Sequence, residues 1–225
     1  MLQPLTYIGR QASRSDGQAR RKAILEATLK VIVAEGIRGV RHRAVATMAG
    51  VPLASTTYYF ADIKELIHDA LTYYAEKAMA ANLALEQQSF AALGGFDATS
   101  LREPAVRRQL CDVLTGFICG HIKGQVADRD ERILELAFNE EALRNPALAD
   151  AIVRLDDAIL SPVSGFFCQL GATESQAQAF ALEVIALIRF LEFRNSVRSW
   201  MNEPECEAAV RSQLTRMLAQ VAAMA

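Results

Sequence analysis

Residues 55–59 form the run STTYY, in which all five side chains carry a hydroxyl group. A hydroxyl can both donate and accept hydrogen bonds, so this run can recognise a partner that displays both kinds of group. Leu53 and Ala54 stand directly before the run and add methyl groups for apolar contact. No residue from 51 to 60 is charged. Recognition here must therefore use hydrogen bonds and methyl contacts, and any charge on the partner must be neutralised by other residues.

The residues around this run predict two short helices, at about 43–49 and 53–59, joined by a tight turn. Gly50 lies at the turn, where a residue that adopts positive φ without strain is favoured. Ala46 and Ala49 are small, and small side chains allow two helices to cross closely. This combination specifies a helix-turn-helix, the motif whose second helix enters the major groove of DNA.

The charge of the chain is unevenly distributed. The first sixty residues contain nine basic and three acidic residues, a net charge of +6, whereas the remaining residues carry −8. A basic module joined to an acidic body is typical of a nucleic-acid-binding protein with a separate regulatory or assembly part. Phosphate contacts are predicted from basic residues that flank the two short helices, namely Arg20, Arg21, Lys22, Arg41, Arg43 and Lys64.

Apolar periodicity predicts helices along the rest of the chain. A stripe of core-type residues from Ile24 to Ala34 predicts a first helix over 16–35. Pro162 lies inside one of the later helices and should kink or split it. Because no stretch shows sustained β alternation, the expected fold class is all-α. The further predicted helices cover 63–88, 105–123, 129–144, 147–170, 174–200 and 204–223.

The segment AVATMAGVPLASTTYYFADIKEL resembles the DNA-binding domain of TetR-family transcriptional repressors. The matching features are an A-x-x-A-G-V core, an aromatic run that ends in Phe60, and a K-E-L entry into a long helix at 64–66. The first helix, which ends in an E-G pair, resembles the opening helix of the same family. The resemblance covers about residues 16–75. The core residues that carry it are Ala46, Ala49, Gly50 and Val51.

The resemblance implies an all-α protein with an N-terminal three-helix helix-turn-helix DNA-binding domain and a C-terminal helical ligand-binding and dimerisation domain. The expected division is a mobile N-terminal arm over 1–15, the DNA-binding domain over 16–62, and the helical domain over 63–225. The expected function is ligand-responsive, sequence-specific regulation of transcription, by a repressor that a small apolar or amphipathic effector releases. The expected partners are a palindromic double-stranded DNA operator, that effector and a second copy of the chain.

The predicted DNA contacts combine the flanking cations with the second short helix. By the resemblance, Tyr58 and Tyr59 are expected to contact phosphates, whereas Phe60 is expected to pack in the core. Hydroxyls can bond to base edges, and methyl groups can meet thymine methyls. The predicted DNA-binding residues are Arg41, Arg43, Leu53, Ala54, Ser55, Thr56, Thr57, Tyr58, Tyr59 and Lys64.

Two further sites are predicted in the helical body. Cys111, Phe117 and His121 share one predicted helix and are the candidate ligand-binding residues. The segment 180–193 is apolar almost all round, which indicates a helix that is central or shared with a partner. In the TetR family the last two main helices form a dimeric four-helix bundle, and the resemblance implies the same here. The predicted dimer contacts are Leu187, Phe190 and Leu191.

Sequence patterns that would indicate an enzyme are weak. Glu65 and His68 have the E-x-x-H spacing of di-iron bundles, but such a site needs two of these motifs, and neither His42 nor His121 follows a glutamate at that spacing. No nucleophile–base pair or glycine-rich phosphate loop is evident, so neither catalysis nor a metal or other cofactor is expected. Two alternatives remain. One is a helical-bundle enzyme or cofactor-binding protein without DNA affinity, and the other is a DNA-binding regulator controlled by a partner protein.

The sequence also bears on the compartment. The N-terminus has no apolar stretch of signal-peptide type, and the longest apolar run is too short to cross a bilayer. The four cysteines show no C-x-x-C spacing. Together these features predict a cytoplasmic protein with reduced thiols.

Overall fold

The computed structural model describes residues 5–198 and 200–223, and for residues 82–92 it describes the backbone alone. Within these residues it contains nine α-helices, two short 3-10 helices and no strand, so the all-α prediction is confirmed. No helix in this part of the chain is long and apolar enough to span a membrane. The α-helices are α1 (Ser15–Glu35), α2 (His42–Ala49), α3 (Leu53–Tyr59), α4 (Ile63–Leu93), α5 (Pro104–Ala127), α6 (Arg129–Ala142), α7 (Pro146–Gln169), α8 (Glu174–Arg198) and α9 (Glu203–Ala222).

The chain divides into two compact units. The first comprises Met1–Ala81 and Ile133–Leu155, and the second comprises Asn82–Arg132 and Asp156–Ala225. Helices α4, α6 and α7 therefore each contribute residues to both units. The first unit contains the whole helix-turn-helix together with the N-terminal part of α4. The domain boundaries predicted after residues 15 and 62 stay predictions.

The core of the first unit forms on the face of α1 that the sequence predicted. Ile24, Ala27, Thr28 and Val31 are all buried, and only Ala34, in the last turn, is exposed. Helix α4 supplies Leu66 and Leu71 to this core, α6 supplies Phe138, and Phe60 follows α3; these four side chains are among the most deeply buried of the described residues. The position predicted for Phe60 is therefore confirmed.

The core of the second unit lies where α5 packs against α8 and α9. Leu110 and Ile122 of α5 are fully buried, and Val210 and Leu214 of α9 are nearly so. Helix α7 runs unbroken from Pro146 to Gln169, so Pro162 does not split it, and the predicted kink stays a prediction. A proline inside a helix removes one N–H donor, and the remaining turns of a 24-residue helix keep their own hydrogen bonds.

The turn between α2 and α3 depends on Gly50. Its φ of 64° and ψ of 31° are left-handed, the region that glycine enters without a Cβ clash. The Gly50 N–H donates to the Thr47 carbonyl at 3.2 Å, and the Val51 N–H donates to the Ala46 carbonyl at 3.1 Å. These two bonds form a Schellman motif, which ends α2 and directs the chain into Pro52 and α3.

We expect Gly50→Ala to lower the free energy of unfolding by about 1–2 kcal/mol, because a Cβ is unfavourable at a left-handed position. Gly116→Ala is the matched control. Gly116 lies inside α5, and a Cβ built there meets no atom within 4 Å. This control should raise the free energy of unfolding by about 0.5–1 kcal/mol. Urea unfolding followed by circular dichroism measures both values, and effects of the same sign would contradict the turn geometry.

Candidate nucleic-acid interface

Helix α3 has one exposed face that carries both polar and apolar side chains. Leu53, Ala54, Thr57 and Tyr58 are exposed, and Ser55 is half-buried. The spacing of the exposed residues, at i, i+1, i+4 and i+5, places them on one side of a helix. This face, which we call the recognition face, displays two hydroxyls and two aliphatic side chains with no charge. The structure therefore brings together four of the predicted contact residues.

Thr56 and Tyr59 point the other way, so their prediction as DNA contacts is wrong. Thr56 has no exposed surface, and its hydroxyl donates to the Leu53 carbonyl at 2.8 Å. Tyr59 is 5% exposed and packs in the core of the first unit. Thr56 and Tyr59 are three residues apart and therefore share one side of α3, which is opposite the recognition face. The sequence did not show which of these hydroxyl residues are buried, because neighbours of the same type lie on different faces of a helix.

The cations predicted beside α3 divide into exposed and buried ones. Arg41 and Arg43 lie at the start of α2 and Lys64 lies in the first turn of α4, and all three are exposed. No carboxylate among the described residues forms an ion pair with any of these three. Arg21 is different, because it is buried and pairs with Asp69 of α4. The prediction of Arg21 as a phosphate contact is therefore wrong.

Asp69 is a fully buried carboxylate with several donors around it. It accepts the Ile8 N–H at 2.8 Å and the Gly9 N–H at 3.0 Å, besides its ion pair with Arg21. Burial raises the pKa of the Asp69 carboxyl, and the two N–H donors and the Arg21 charge counter only part of that rise. Burial and the hydrogen bond to Glu76 raise the pKa of Tyr7, so the Tyr7 hydroxyl keeps its proton and donates to that carboxylate at 2.5 Å.

Sequence reasoning missed Arg10. Its backbone N–H donates to the Tyr59 carbonyl at 2.8 Å, at the end of α3. The guanidinium carbon lies 4.1 Å from the centre of the Tyr58 ring. The arm around Arg10 has no apolar periodicity, so no local signal in the sequence placed this cation beside the recognition face.

The E-x-x-H pair does not form a metal site. His68 is buried, and its Nε2 lies 3.1 Å from the Thr6 carbonyl oxygen, while its Nδ1 lies 3.2 Å from Asn145 Nδ2. Asn145 Oδ1 accepts the N–H groups of Ala147 and Leu148, so the amide NH₂ must face His68. His68 Nδ1 is therefore the acceptor and Nε2 the donor. Among the described residues, no group of three or more metal-binding side chains occurs.

The three predicted ligand contacts on α5 do not share one site. Cys111 is buried and faces α9, with its sulfur 3.8 Å from the Arg211 carbonyl oxygen and 3.5 Å from Thr215 Oγ1. Phe117 is exposed, because it lies about a third of a turn away from the buried stripe of α5. His121 is half-buried, and its Nε2 lies 3.2 Å from Glu192 Oε1 on α8. The grouping of these three residues is therefore wrong.

A shallow cleft with space for about one water molecule lies between α5, α8 and α9. It is apolar apart from Gln213. Ile118 and Ile188 line it, and they stand one helical turn before His121 and Glu192 respectively. Glu192 is nearly buried, and Arg132 Nη1 lies 3.9 Å from its Oε2. The second unit thus has an apolar cleft on two of the helices that carry the pair of half-buried His121 and buried Glu192. The remaining lining residues are Val184, Leu187, Val210 and Leu214.

Helix α8 has an exposed apolar stripe that only partly matches the predicted dimer contacts. Phe190 is 56% exposed and belongs to it. Leu191 is buried in the core of the second unit, and Leu187 lines the cleft. The prediction of Leu191 as a dimer contact is therefore wrong, and Leu187 also faces inward. Leu191 directly follows the exposed Phe190, and one residue along a helix turns the side chain by about 100°. The members of the exposed stripe are Leu182, Ala186, Phe190, Phe193 and Val197.

Known proteins resemble this chain in part of its sequence and in most of its fold. No family model matches the chain. The HTH-type transcriptional regulator PksA of Bacillus subtilis (strain 168) is 39% identical over 62 residues. That match spans 28% of this chain and only 30% of the length of PksA.

Solved structures extend the likeness along the chain. A TetR-family member from Streptomyces coelicolor A3 is 28% identical, with a TM-score of 0.54, and the match covers 88% of this chain and 97% of that one. The multidrug binding protein EbrR, solved in complex with imidazole, is 26% identical, with a TM-score of 0.53, and the match covers 88% of this chain and 94% of EbrR. The helix-turn-helix and the all-α body agree with these likenesses, and the fold of the chain matches that of TetR-family transcriptional regulators.

Proposed function

We propose that the protein binds a double-stranded DNA operator through the recognition face of α3. The observation that carries this proposal is a neutral, hydroxyl-bearing helix face flanked by the exposed cations Arg41, Arg43 and Lys64. In DNA complexes, phosphate contacts supply much of the affinity, and base-edge contacts supply the sequence preference. Thr57 and Tyr58 offer hydroxyls to base edges or phosphates, and Leu53 and Ala54 offer apolar contact to thymine methyls.

The protein acts as a homodimer in this proposal. Five exposed apolar residues on α8 would bury their surface against the same stripe of a second copy, and a self-complementary patch generates a two-fold dimer. Two recognition faces related by a two-fold axis fit a palindromic operator, whose half-sites lie one helical turn of DNA apart or a multiple of it. Binding to chromosomal DNA would agree with a cytoplasmic location.

A small molecule controls DNA binding, and the protein acts as a repressor. The cleft on α5, α8 and α9 would have to widen to admit an effector, and its apolar lining and the nearby Glu192 favour an amphipathic molecule with an apolar body. EbrR, which is similar in fold, is described as a multidrug binding protein. The effector would bind best to a dimer geometry that no longer matches the operator, and so would shift the population away from the DNA-bound form. Selection of duplexes by the purified protein from a random-sequence pool tests the proposal, and failure to enrich any duplex would refute it.

We expect Arg43→Ala and Lys64→Ala each to weaken binding to the selected duplex and to a scrambled duplex by similar factors. Each lost phosphate contact should reduce the slope of log affinity against log salt concentration by about one per protomer. Lys123→Ala is the control, because it removes the same charge from an exposed residue of the second unit that pairs with Glu203. Titrations at several salt concentrations measure the slopes, and slopes equal to that of the control would contradict the phosphate assignment.

Tyr58→Phe removes one exposed hydroxyl from the recognition face. We expect about a fivefold loss of affinity for the selected duplex, the equivalent of one hydrogen bond worth about 1 kcal/mol. Tyr59→Phe is the matched control, because Tyr59 is buried and its loss of a hydroxyl should leave DNA affinity unchanged. Fluorescence anisotropy with labelled duplex measures both variants. Equal affinities for wild type and Tyr58→Phe would exclude the Tyr58 hydroxyl as a contact.

Phe190→Glu places a charge in the middle of the exposed stripe of α8. We expect this variant to sediment as a monomer, because two buried and unpaired carboxylates would face each other across the interface. Leu143→Glu is the control, because Leu143 is 85% exposed and lies in the first unit, outside the stripe. Analytical ultracentrifugation distinguishes the two outcomes, and a stable dimer of Phe190→Glu would count against the α8 interface.

A further inference from the structure

The N-terminal segment, residues 6–11, follows a path that is fixed residue by residue. The Thr6 carbonyl accepts from His68, and the Tyr7 hydroxyl donates to Glu76. Ile8 and Gly9 donate their N–H groups to Asp69, and the Arg10 N–H donates to the Tyr59 carbonyl. Every one of these partners belongs to α3 or α4. The segment is therefore an ordered part of the first unit and crosses from α4 to the end of α3.

Gly9 allows the segment to approach α4 closely. A Cβ at this position would lie 2.7 Å from Asp69 Oδ2 and 2.7 Å from the Phe60 ring. Phe60 is fully buried, so it has no space in which to retreat. A residue with a side chain would therefore lift the segment away from the helix. The close contact sets the position of Arg10, the next residue.

Arg21 of α1 also holds the segment in place. Its guanidinium pairs with Asp69, and its Nε donates to the Arg10 carbonyl at 3.2 Å. The same guanidinium lies 4.8 Å from the centre of the Tyr7 ring and 5.4 Å from that of Phe60. Both backbone polar groups of Arg10 are thus bonded, its N–H to Tyr59 and its carbonyl to Arg21.

The side chain of Arg10 remains exposed at the recognition face. Its guanidinium lies against the Tyr58 ring, and no carboxylate among the described residues forms an ion pair with it. Stacking on an aromatic ring leaves the N–H groups at the edge of the guanidinium able to donate to an anion. The fixed backbone reduces the conformational entropy that would be lost on binding.

We infer that Arg10 contacts DNA. Through this residue, the N-terminal segment adds to the recognition face the positive charge that α3 lacks. Its ligand is a backbone phosphate next to the position of Tyr58, and Asp69 is a positioning residue that acts through Ile8 and Gly9. This inference rests on the proposed DNA binding.

The test compares the binding of Arg10→Ala, Arg10→Lys and wild type to a duplex that wild type selected from a random-sequence pool. Arg10→Ala should bind about tenfold or more weakly, the loss expected for one charge-assisted hydrogen bond. Its salt slope should fall by about one per protomer, whereas Arg10→Lys should keep the slope of wild type. Arg144→Ala is the control for net charge, because Arg144 is an exposed residue of the same unit that pairs with Glu140.

Asp69→Asn tests the positioning role with a near-isosteric change. It should lower affinity and expose the N-terminal segment to limited proteolysis, while Arg10→Ala should leave the cleavage pattern of wild type intact. If Asp69→Asn fails to fold, the affinity and salt slope of Arg10→Ala alone test the inference, because the Arg10 side chain is exposed and its removal should not prevent folding. Wild-type affinity and salt slope in Arg10→Ala would overturn the inference and leave the proposed function standing. Failure of wild type to select any duplex would overturn both.

Discussion

The first unit depends on how a buried charge is satisfied. Asp69 has no exposed side-chain surface, and a carboxylate in such a place is tolerated only when it is paired and hydrogen-bonded. Its partners come from α1 through Arg21 and from the N-terminal segment through two backbone N–H groups. Removing one partner of a buried ion pair typically costs about 3–5 kcal/mol. Besides the apolar core that α1 and α4 share, one side chain therefore links α1, α4 and the segment before α1, and the end of α3 is bonded to the same segment.

Local sequence patterns predicted most of the fold. The first three helices agree with their predicted bounds to within one residue, because caps, small residues and periodicity are local signals. The face of α3 was harder to predict, since Thr56 and Thr57 are the same residue type and only the register of the helix separates them. Arg21 and Asp69 are 48 positions apart, and no periodicity connects such residues. The residue types available on α3 for contact with DNA could therefore be identified from the sequence. Which of these residues are exposed and which are buried could not.

In the second unit, the sequence likewise could not show which residues of α8 face outward, and neighbouring residues were predicted to share a face that they do not share. The segment from 180 to 193 is apolar on nearly every side, so its composition cannot say which side faces the core. The structure buries Leu191 and exposes Phe190, its direct neighbour. A helix shared with a partner could be predicted because this segment has more apolar residues than one buried helix face needs. The choice of the outward stripe required the packing of α8 against α5 and α9.

In the proposed DNA complex, the neutral recognition face has a consequence for how the protein can change over evolution. Because the exposed cations lie outside α3, the proposed mode of binding assigns the general attraction to DNA and the choice among sequences to different residues. A replacement at Leu53, Ala54 or Thr57 can alter the preferred bases without removing a charge from the surface. A regulator organised in this way can acquire a new target while its attachment to the double helix persists, so intermediate variants need not pass through a stage that has lost DNA altogether.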